Sequence, residues 1–393
     1  MDIDLTTSLA GIELKNPLIV PAGELSRDST AIKKLLKYKP GAIVTKTIVA
    51  SLLPVPLPCF ASIKAGFMNN VPGSTLSADD WFSKEFRLIE EVKKSGIKII
   101  ANLAGATPEE GAKLASRAEE SGVDMIEIPV YCPAIPEILD AMGVSFPVPE
   151  FSDVNPFLKV LKLVKERVSV PIAVKLSSVF HAHVERWAKA LEDGGADIIV
   201  AADSIGPVLA IDIDTAQPIL GGVRGYGCLT GLGLKPISLR MVFEIARMTK
   251  VPVVGVGGIT SWKDAVEYIL AGARAVGAYT IAHLKGPEVY PSIIDGIKNY
   301  MASKGYKSLE EFRGLTIKKV DERRIKKLQL ITTPSPPRIN KEKCTACGLC
   351  AKSCVYEAIA MKEYAIVDEA KCYGCGLCAT ICPVNAIKLE YYS

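Results

Sequence analysis

The chain has 393 residues, is 49% hydrophobic, and sets 47 basic residues against 43 acidic ones for a formal net charge of +4. That is apolar material for more than one ordinary domain. With no dense Lys/Arg stripe and no stacking-aromatic motif, the charge balance argues against a nucleic-acid partner. No run of about 18 uninterrupted apolar residues occurs, so no membrane insertion is expected.

The N-terminus, MDIDLTTSLAGIELKNP, lacks the basic, apolar, small-residue order of a secretory signal, so a cytoplasmic location is expected. From there to about residue 325, short β-branched apolar runs alternate with longer charged amphipathic stretches. That alternation is the mark of βα units and a parallel sheet. Eight strands are predicted, at 17–23, 41–47, 98–105, 125–132, 171–178, 196–204, 251–258 and 275–280. Their nearly continuous apolar character suits strands buried on both faces. Helices are predicted at 82–95, 108–121, 183–193, 236–248 and 261–271. Eight strands over this length fit an α/β fold of the (β/α)8 TIM-barrel kind, with a doubly wound Rossmann sheet as the rival.

Residues 1–330 are therefore read as the barrel, with 318–328 (KKVDERRIKKL) as a solvated helix at its end. Residues 331–338 (ITTPSPPR), with three prolines, are read as a stiff linker. Residues 339–393 form a small second domain containing an internal repeat of about 28 residues. Of the eleven cysteines, eight lie in it. They form two quartets, Cys344, Cys347, Cys350, Cys354 and Cys372, Cys375, Cys378, Cys382, each spaced C-x2-C-x2-C-x3-C. This is the bacterial ferredoxin run, in which three thiolates hold one cubane and the fourth ligates the other. Two [4Fe–4S] clusters are expected, with Cys354 joining the second triplet and Cys382 the first. Gly348 and Gly376 let the loops curl; Pro383 follows Cys382 as the pattern asks, while Val355 stands where a proline is usual. A zinc ribbon would use only half of these thiols. Cys59 and Cys228 are read as buried structural cysteines.

Motifs at the predicted strand ends point to a phosphate. The seventh strand ends in Val256-Gly257-Gly258 and the eighth in Tyr279-Thr280. Barrels commonly bind phosphate at those two loops, where glycine lets backbone N–H groups approach. The turn Gly227–Gly231 (GCLTG), before a helix starting near Pro236, offers a further approach.

These residues, together with NPLIVPAG (16–23), VTKT (44–47), GFMNN (66–70), Cys132–Pro133, VKLS (174–177), DSIG (203–206), the TG and LKP elements of GCLTGLGLKP (227–236), GVGGI (255–259), AGA (271–273), HLKGP (283–287) and KGYKSLEEFRG (304–314), resemble the class 1 dihydroorotate dehydrogenases and the dihydropyrimidine dehydrogenases. Those families share an FMN barrel, and the latter also carry a C-terminal two-cluster ferredoxin domain. The resemblance runs from about residue 3 to residue 314 and implies an FMN-dependent oxidoreductase acting on a CH–CH bond of a small-molecule substrate.

By motif, it implies that Ala22 and Gly23 lie against the flavin and that Lys46, with Thr47 beside it, contacts flavin and substrate. Lys175 serves the ring or ribityl chain, and Asn102 binds there too. Gly231, Gly257, Gly258 and Thr280 hold the phosphate, and Tyr279 is a further cofactor-binding residue. A cation near the flavin N1–C2=O edge would stabilise the anionic reduced ring. Cys132 matches the catalytic cysteine, which exchanges a proton with the substrate.

The resemblance breaks in the substrate pocket. The family's asparagines three before and two after the cysteine are Pro129 and Ala134 here, its serine is Tyr131, and a further asparagine is Asp203, beside Ser204. Asn69 alone of that group is retained. Pro and Ala offer a pyrimidine's amide edges no side-chain partner, at about 1–3 kcal/mol for each group left unpaired. Orotate is therefore not the expected substrate and uracil is placed in doubt. A larger or less polar unsaturated molecule is expected, contacting Asn69, Tyr131, Asp203 and Ser204. His181 and His183 are read as solvated loop residues.

Electrons are expected to pass between the clusters and an external ferredoxin or an NAD(P)H-oxidising flavoprotein subunit. A homodimer is expected by analogy with relatives. The competing classes are an electron-transfer subunit without a substrate of its own, and a zinc-stabilised binding module on an inactive barrel.

Overall fold

Leu18–Val20 (β1), Ala42–Val44 (β2), Lys98–Ala104 (β3), Met125–Pro129 (β4), Ile172–Ser177 (β5), Ile198–Asp203 (β6), Val253–Val256 (β7) and Ala275–Gly277 (β8) pair in parallel around a closed ring in a computed structural model that describes residues 3–144, 150–325 and 334–389. β1 pairs with both β2 and β8, and β2 pairs onward with β3, so the ring has no free edge. That closure decides between the barrel and the open Rossmann sheet. All eight predicted strands are present, each shorter than its apolar run. The run overshoots because its last residues leave the ladder to line the barrel mouth.

A helix follows each strand: Ser29–Leu36 (α1), Ile89–Ser95 (α2), Pro108–Glu120 (α3), Asn155–Lys165 (α4), Val184–Asp193 (α5), Lys235–Met248 (α6), Trp262–Leu270 (α7) and Val289–Lys304 (α8). Their starts are capped as the sequence allows. The Asp28, Thr107 and Ser261 side chains receive early N–H groups, and prolines occupy the first turns of α3, α4 and α6. The helix predicted at 82–95 is instead broken into Ala78–Ser83, a 3-10 turn Glu85–Leu88, and α2. The break lets Trp81 and Phe86 bury in one core, rings 5.5 Å apart, while Glu85 accepts the Ser29 N–H.

Two apolar shells result from the period-2 alternation of strands. Outward residues such as Ile43, Ile99, Val174 and Ile199 pack against the helices. Inward residues, among them Ile19, Val44, Ile100, Met125, Ala173, Val200 and Val254, fill the barrel with Leu9 and Leu14 of the hairpin Thr7–Leu9/Ile12–Leu14. At the other end of the barrel an antiparallel sheet, not anticipated from the sequence, orders Ile205–Val208, Gly227–Thr230, Gly66–Asn69 and Phe60–Ile63. Phe60–Ile63 and Gly66–Asn69 form a local hairpin in the loop after β2, and the sheet is completed by strands from the loop after β6, too far away in sequence to be paired from local pattern.

The chain divides into compact units Met1–Val320 and Asp321–Ser393. The helix expected at 318–328 appears as Leu315–Ile325, with no buried residue; 326–328 fall outside the described residues. Of the expected linker, 331–333 also fall outside them, and Arg338 already belongs to a strand, Arg338–Ile339, that pairs with Ile387–Lys388. The second unit repeats this pairing with Ile359–Met361 and Ala365–Val367. Among the described residues no helix is long and apolar enough to cross a membrane.

Candidate active site

The alternation that fills the barrel also builds its mouth. Two residues beyond Val44, Met125, Ala173 and Val200 come Lys46, Glu127, Lys175 and Ala202, so these four project inward at the C-terminal rim. They line a cavity of about 820 Å³. Ala22, Gly23, Thr47, Asn69, Tyr131, Cys132, Asp203, Ser204, Gly231, Gly257, Gly258, Tyr279 and Thr280 line it too. Residues drawn from nearly every strand end therefore meet in one space.

Asn102 is different. It faces inward and is fully buried, but it does not line the cavity. Its amide donates to Glu127 Oε1, while its own Oδ1 finds no partner. It supports Glu127, which does face the cavity. His181 and His183 are exposed, as the loop reading expects, in the turn before α5.

At the β7–β8 side, three glycines take positive φ: Gly231 (+84°), Gly257 (+117°) and Gly258 (+68°). A Cβ on Gly258 would stand 2.5 Å from Lys235 Cβ and 2.9 Å from the Gly231 carbonyl oxygen. Only glycine fits there. Thr280 Oγ1 donates to Thr230 Oγ1 at 3.0 Å, bringing two hydroxyls to the same corner. Gly23 is in extended backbone, and its lack of a side chain makes room for Tyr279, whose ring would sit 2.3 Å from a Cβ. The Tyr279 hydroxyl receives the Glu24 N–H at 2.7 Å and lies 3.1 Å from His283 Nδ1; burial raises the Tyr279 phenol well above its ordinary value.

Neither lysine stands as an isolated cation. Lys46 Nζ is 2.9 Å from Glu24 Oε1. Lys175 Nζ is 2.9 Å from Glu127 Oε1 and 3.5 Å from Asp203 Oδ2. Burial pulls the Lys175 ammonium down, but the charges of Asp203 and Glu127 outweigh it, and the net direction is upward. Burial likewise holds the His283 imidazole below its usual value, beside Phe67 and Phe60.

Cys132, at the end of β4, packs with Leu53, Ala134, Ile138 and Cys228. Its thiol is lowered from the ordinary cysteine value chiefly by its hydrogen bond with Cys228, against the pull of burial. Cys228 is raised, first by that same bond and then by burial. Tyr131 packs edge-on against Phe151, and burial pushes its phenol up to about 12. Cys228 is buried, as expected, and also lines the cavity, while Cys59 is only partly buried. Glu24, Glu127 and Cys228 are among the cavity groups the motif reading missed. For Glu127 a signal existed: a lone acid inside the buried strand MIEIP.

In the second unit, Cys344, Cys347, Cys350 and Cys382 surround one small cavity: three sulfurs of the first run and the last of the second. Cys378 lies near Cys375 and Cys372. The repeat is exact enough to see in single bonds. Cys354 Sγ accepts the Ala358 N–H at 3.4 Å and Cys382 Sγ the Ala386 N–H at 3.2 Å; Gly348 and Gly376 both take left-handed φ (+75° and +85°) before their short helices. Among the described residues no three Cys, His or acidic groups converge as on a single metal ion.

A closed parallel barrel with a glycine-lined corner after β7 and β8 and a cysteine after β4, followed by a cysteine-rich ferredoxin-like unit, defines an oxidoreductase of the iron–sulfur flavoprotein class. Comparison with known proteins places it further. Residues 4–301 match the dihydroorotate dehydrogenase family, and residues 337–389 match the 4Fe-4S dicluster domain. The chain belongs to the dihydroorotate dehydrogenase family, whose members are FMN oxidoreductases acting on CH–CH bonds. It is 35% identical over 314 residues to the dihydroorotate dehydrogenase B (NAD(+)) catalytic subunit of Methanothermobacter thermautotrophicus, covering 79% of this chain and 98% of that one. It is 33% identical to the subunit of that name from Pyrococcus abyssi (80% and 99% covered) and 32% identical to that from Thermoplasma volcanium (80% and 99%). About a fifth of this chain thus lies outside each of these alignments.

Proposed function

We propose that this chain interconverts a CH–CH and a C=C bond on a small unsaturated molecule other than orotate, using FMN in the barrel and two [4Fe–4S] clusters in the C-terminal unit as the route to an external carrier. The observation that carries this reading is the meeting, in one cavity, of Cys132 with the glycine corner on the opposite side of the ring, in a chain with two cluster quartets.

The residues present fit the cofactor. The cavity falls in the range of about 300–1,000 Å³ typical of such sites. Gly231, Gly257, Gly258 and Thr280 would hold the phosphate, and Lys46, Lys175, Ala22 and Gly23 would meet the ring. When bound, FMN supplies two-electron chemistry at the substrate carbon. The protein's own part is to exclude water with the sheet over the mouth, orient the substrate between Asn69, Tyr131 and Ser204, and exchange a proton at Cys132 Sγ. A positioned acid or base of this kind contributes about 10²–10⁴-fold.

The names of the relatives make dihydroorotate the first alternative, with dihydropyrimidines the second. Against both stand the missing amide partners. Pro129 offers none, Ala134 is buried, and Asp203 is engaged with Lys175. Leu53, Ile135 and Leu139 add apolar wall. Electrons are assigned to an external ferredoxin or an NAD(P)H-oxidising flavoprotein subunit, a reading supported by the "catalytic subunit" in the relatives' names.

The test is anaerobic purification followed by assay of dihydroorotate, uracil and thymine with artificial carriers. Turnover of any of these at rates matching an authentic family enzyme would refute the substrate argument. Mass spectrometry of co-purifying small molecules identifies the alternative. Cys132→Ala is expected to keep its FMN and iron and lose turnover by at least about 10²-fold. Unchanged turnover in a reconstituted complex would favour an electron-transfer subunit without its own chemistry.

A further inference from the structure

Cys228 takes no part in the chemistry above, yet it forms part of the cavity wall. It is 1% exposed, on a strand locked from both sides: Cys228 is registered opposite Asn69, and Leu229 opposite both Met68 and Ile205. Its side chain packs in one cluster with Cys132, Ala134, Ile138 and Leu53. Four further groups bear on this pair: Asp203 and Ser204 at the end of β6, Lys46 beyond β2, and Tyr131 next to Cys132 itself. Of these only Lys46 is cationic, and it is already paired with Glu24. Besides the Ala134 backbone N–H, the group placed to support a negative sulfur at Cys132 is therefore a second thiol.

We propose that Cys228 is a positioning residue for the proton-transfer step: its S–H donates to Cys132 Sγ, fixing that sulfur at the wall and stabilising it as the thiolate that receives the substrate proton. This rests on the assignment of Cys132 as the acid–base group. In the oxidising direction, the substrate C–H bond beside the reacting carbon breaks heterolytically. Its proton forms the Cys132 S–H bond; FMN, when held in this cavity, would supply the acceptor for the hydride and its two electrons leaving the neighbouring carbon. Cys228 keeps its own proton throughout. In the reducing direction the same proton returns from Cys132 to carbon.

The experiment is peptide-resolved alkylation of Cys132 with iodoacetamide against pH, on anaerobic flavin- and cluster-loaded protein. Thiolate is the reacting form, so the rate follows its population. In the unaltered chain, half-maximal alkylation is expected below the pH of an ordinary thiol. Cys228→Ala should slow alkylation at neutral pH about tenfold, equivalent to one unit of titration. Cys228→Ser, which keeps a donor, should recover most of that loss. If Cys228→Ala fails to hold flavin, Cys228→Thr and Cys228→Val give the comparison, alike in shape and different in the donor. A Cys132 profile that does not move in the donor-less variant, or that moves equally with and without a donor, overturns the proposal. This readout needs no turnover. A Cys132→Ala protein with full activity would sink the acid–base assignment and leave the alkylation result standing.

Discussion

Lys175 illustrates how charge is handled in the cavity wall. Its ammonium is almost enclosed and meets two carboxylates, Glu127 and Asp203. Around the same space Lys46 meets Glu24. The sequence motifs suggest two cations facing a flavin; the side chains place three acids beside them. Negative charge near the ring opposes the extra electron density of the reduced flavin, which the lysines alone would favour. Glu127→Gln removes one such charge without changing shape. Lys175 keeps Asp203, and Asn102 keeps an acceptor. The flavin midpoint potential should therefore rise, by about 30 mV if the charge is worth roughly 1.4 kcal/mol to a two-electron couple. Anaerobic titration against redox dyes measures it. A potential that falls or stays fixed would show that the carboxylate is neutral in the loaded enzyme or too far away to matter. Lys46 and Lys175 were legible as buried because each sits inside a named motif at a strand end. Glu127 carries the same positional signal but no motif, and Cys228 meets Cys132 only through a sheet built by two distant loops. Proximity of that kind has no trace in local sequence.

Single elements show where close packing constrains backbone. The turn after β7 needs positive φ at Gly257 and Gly258, and the close approach of Gly231 and Lys235 leaves no space for a Cβ at Gly258. Gly258→Ala adds left-handed strain of about 1–2 kcal/mol and a steric clash of about 1–3 kcal/mol. The turn should relieve both by shifting. The expected result is a folded barrel with a slightly lower melting temperature and much weaker FMN retention, read by flavin absorbance after gel filtration. Full retention of FMN would remove this corner from the phosphate site. The strands themselves were plainly written in the sequence, since burial on both faces demands apolar runs. Their ends were not, because residues leaving the ladder for the mouth are just as apolar. The break before α2 was hidden for a related reason: 82–95 is helical in composition, and tertiary packing of Trp81 and Phe86 overrides it.

At the scale of the whole molecule, the chain joins a barrel of the dihydroorotate dehydrogenase family to a unit that matches the 4Fe-4S dicluster domain. Relatives covered almost end to end by the alignment account for only about four-fifths of this chain, so the join is what sets it apart from them. Its value would be an electron path within one polypeptide, and that can be separated from the barrel's chemistry. Cys347→Ser and Cys375→Ser each remove a ligand from one quartet, and a thiolate is a far better iron ligand than a hydroxyl. Each variant should lose about four irons while keeping its flavin. Cys382→Ser should alter the same cluster signal as Cys347→Ser, since its sulfur lines the cavity of the first triplet. The variants are then challenged in two ways under anaerobic conditions. A small photochemical donor that reaches the flavin directly should bleach it in every protein. A reduced ferredoxin should bleach it quickly only where both clusters are intact. Equal bleaching by ferredoxin with and without the clusters would mean that electrons enter the barrel elsewhere, and the tail would need another purpose.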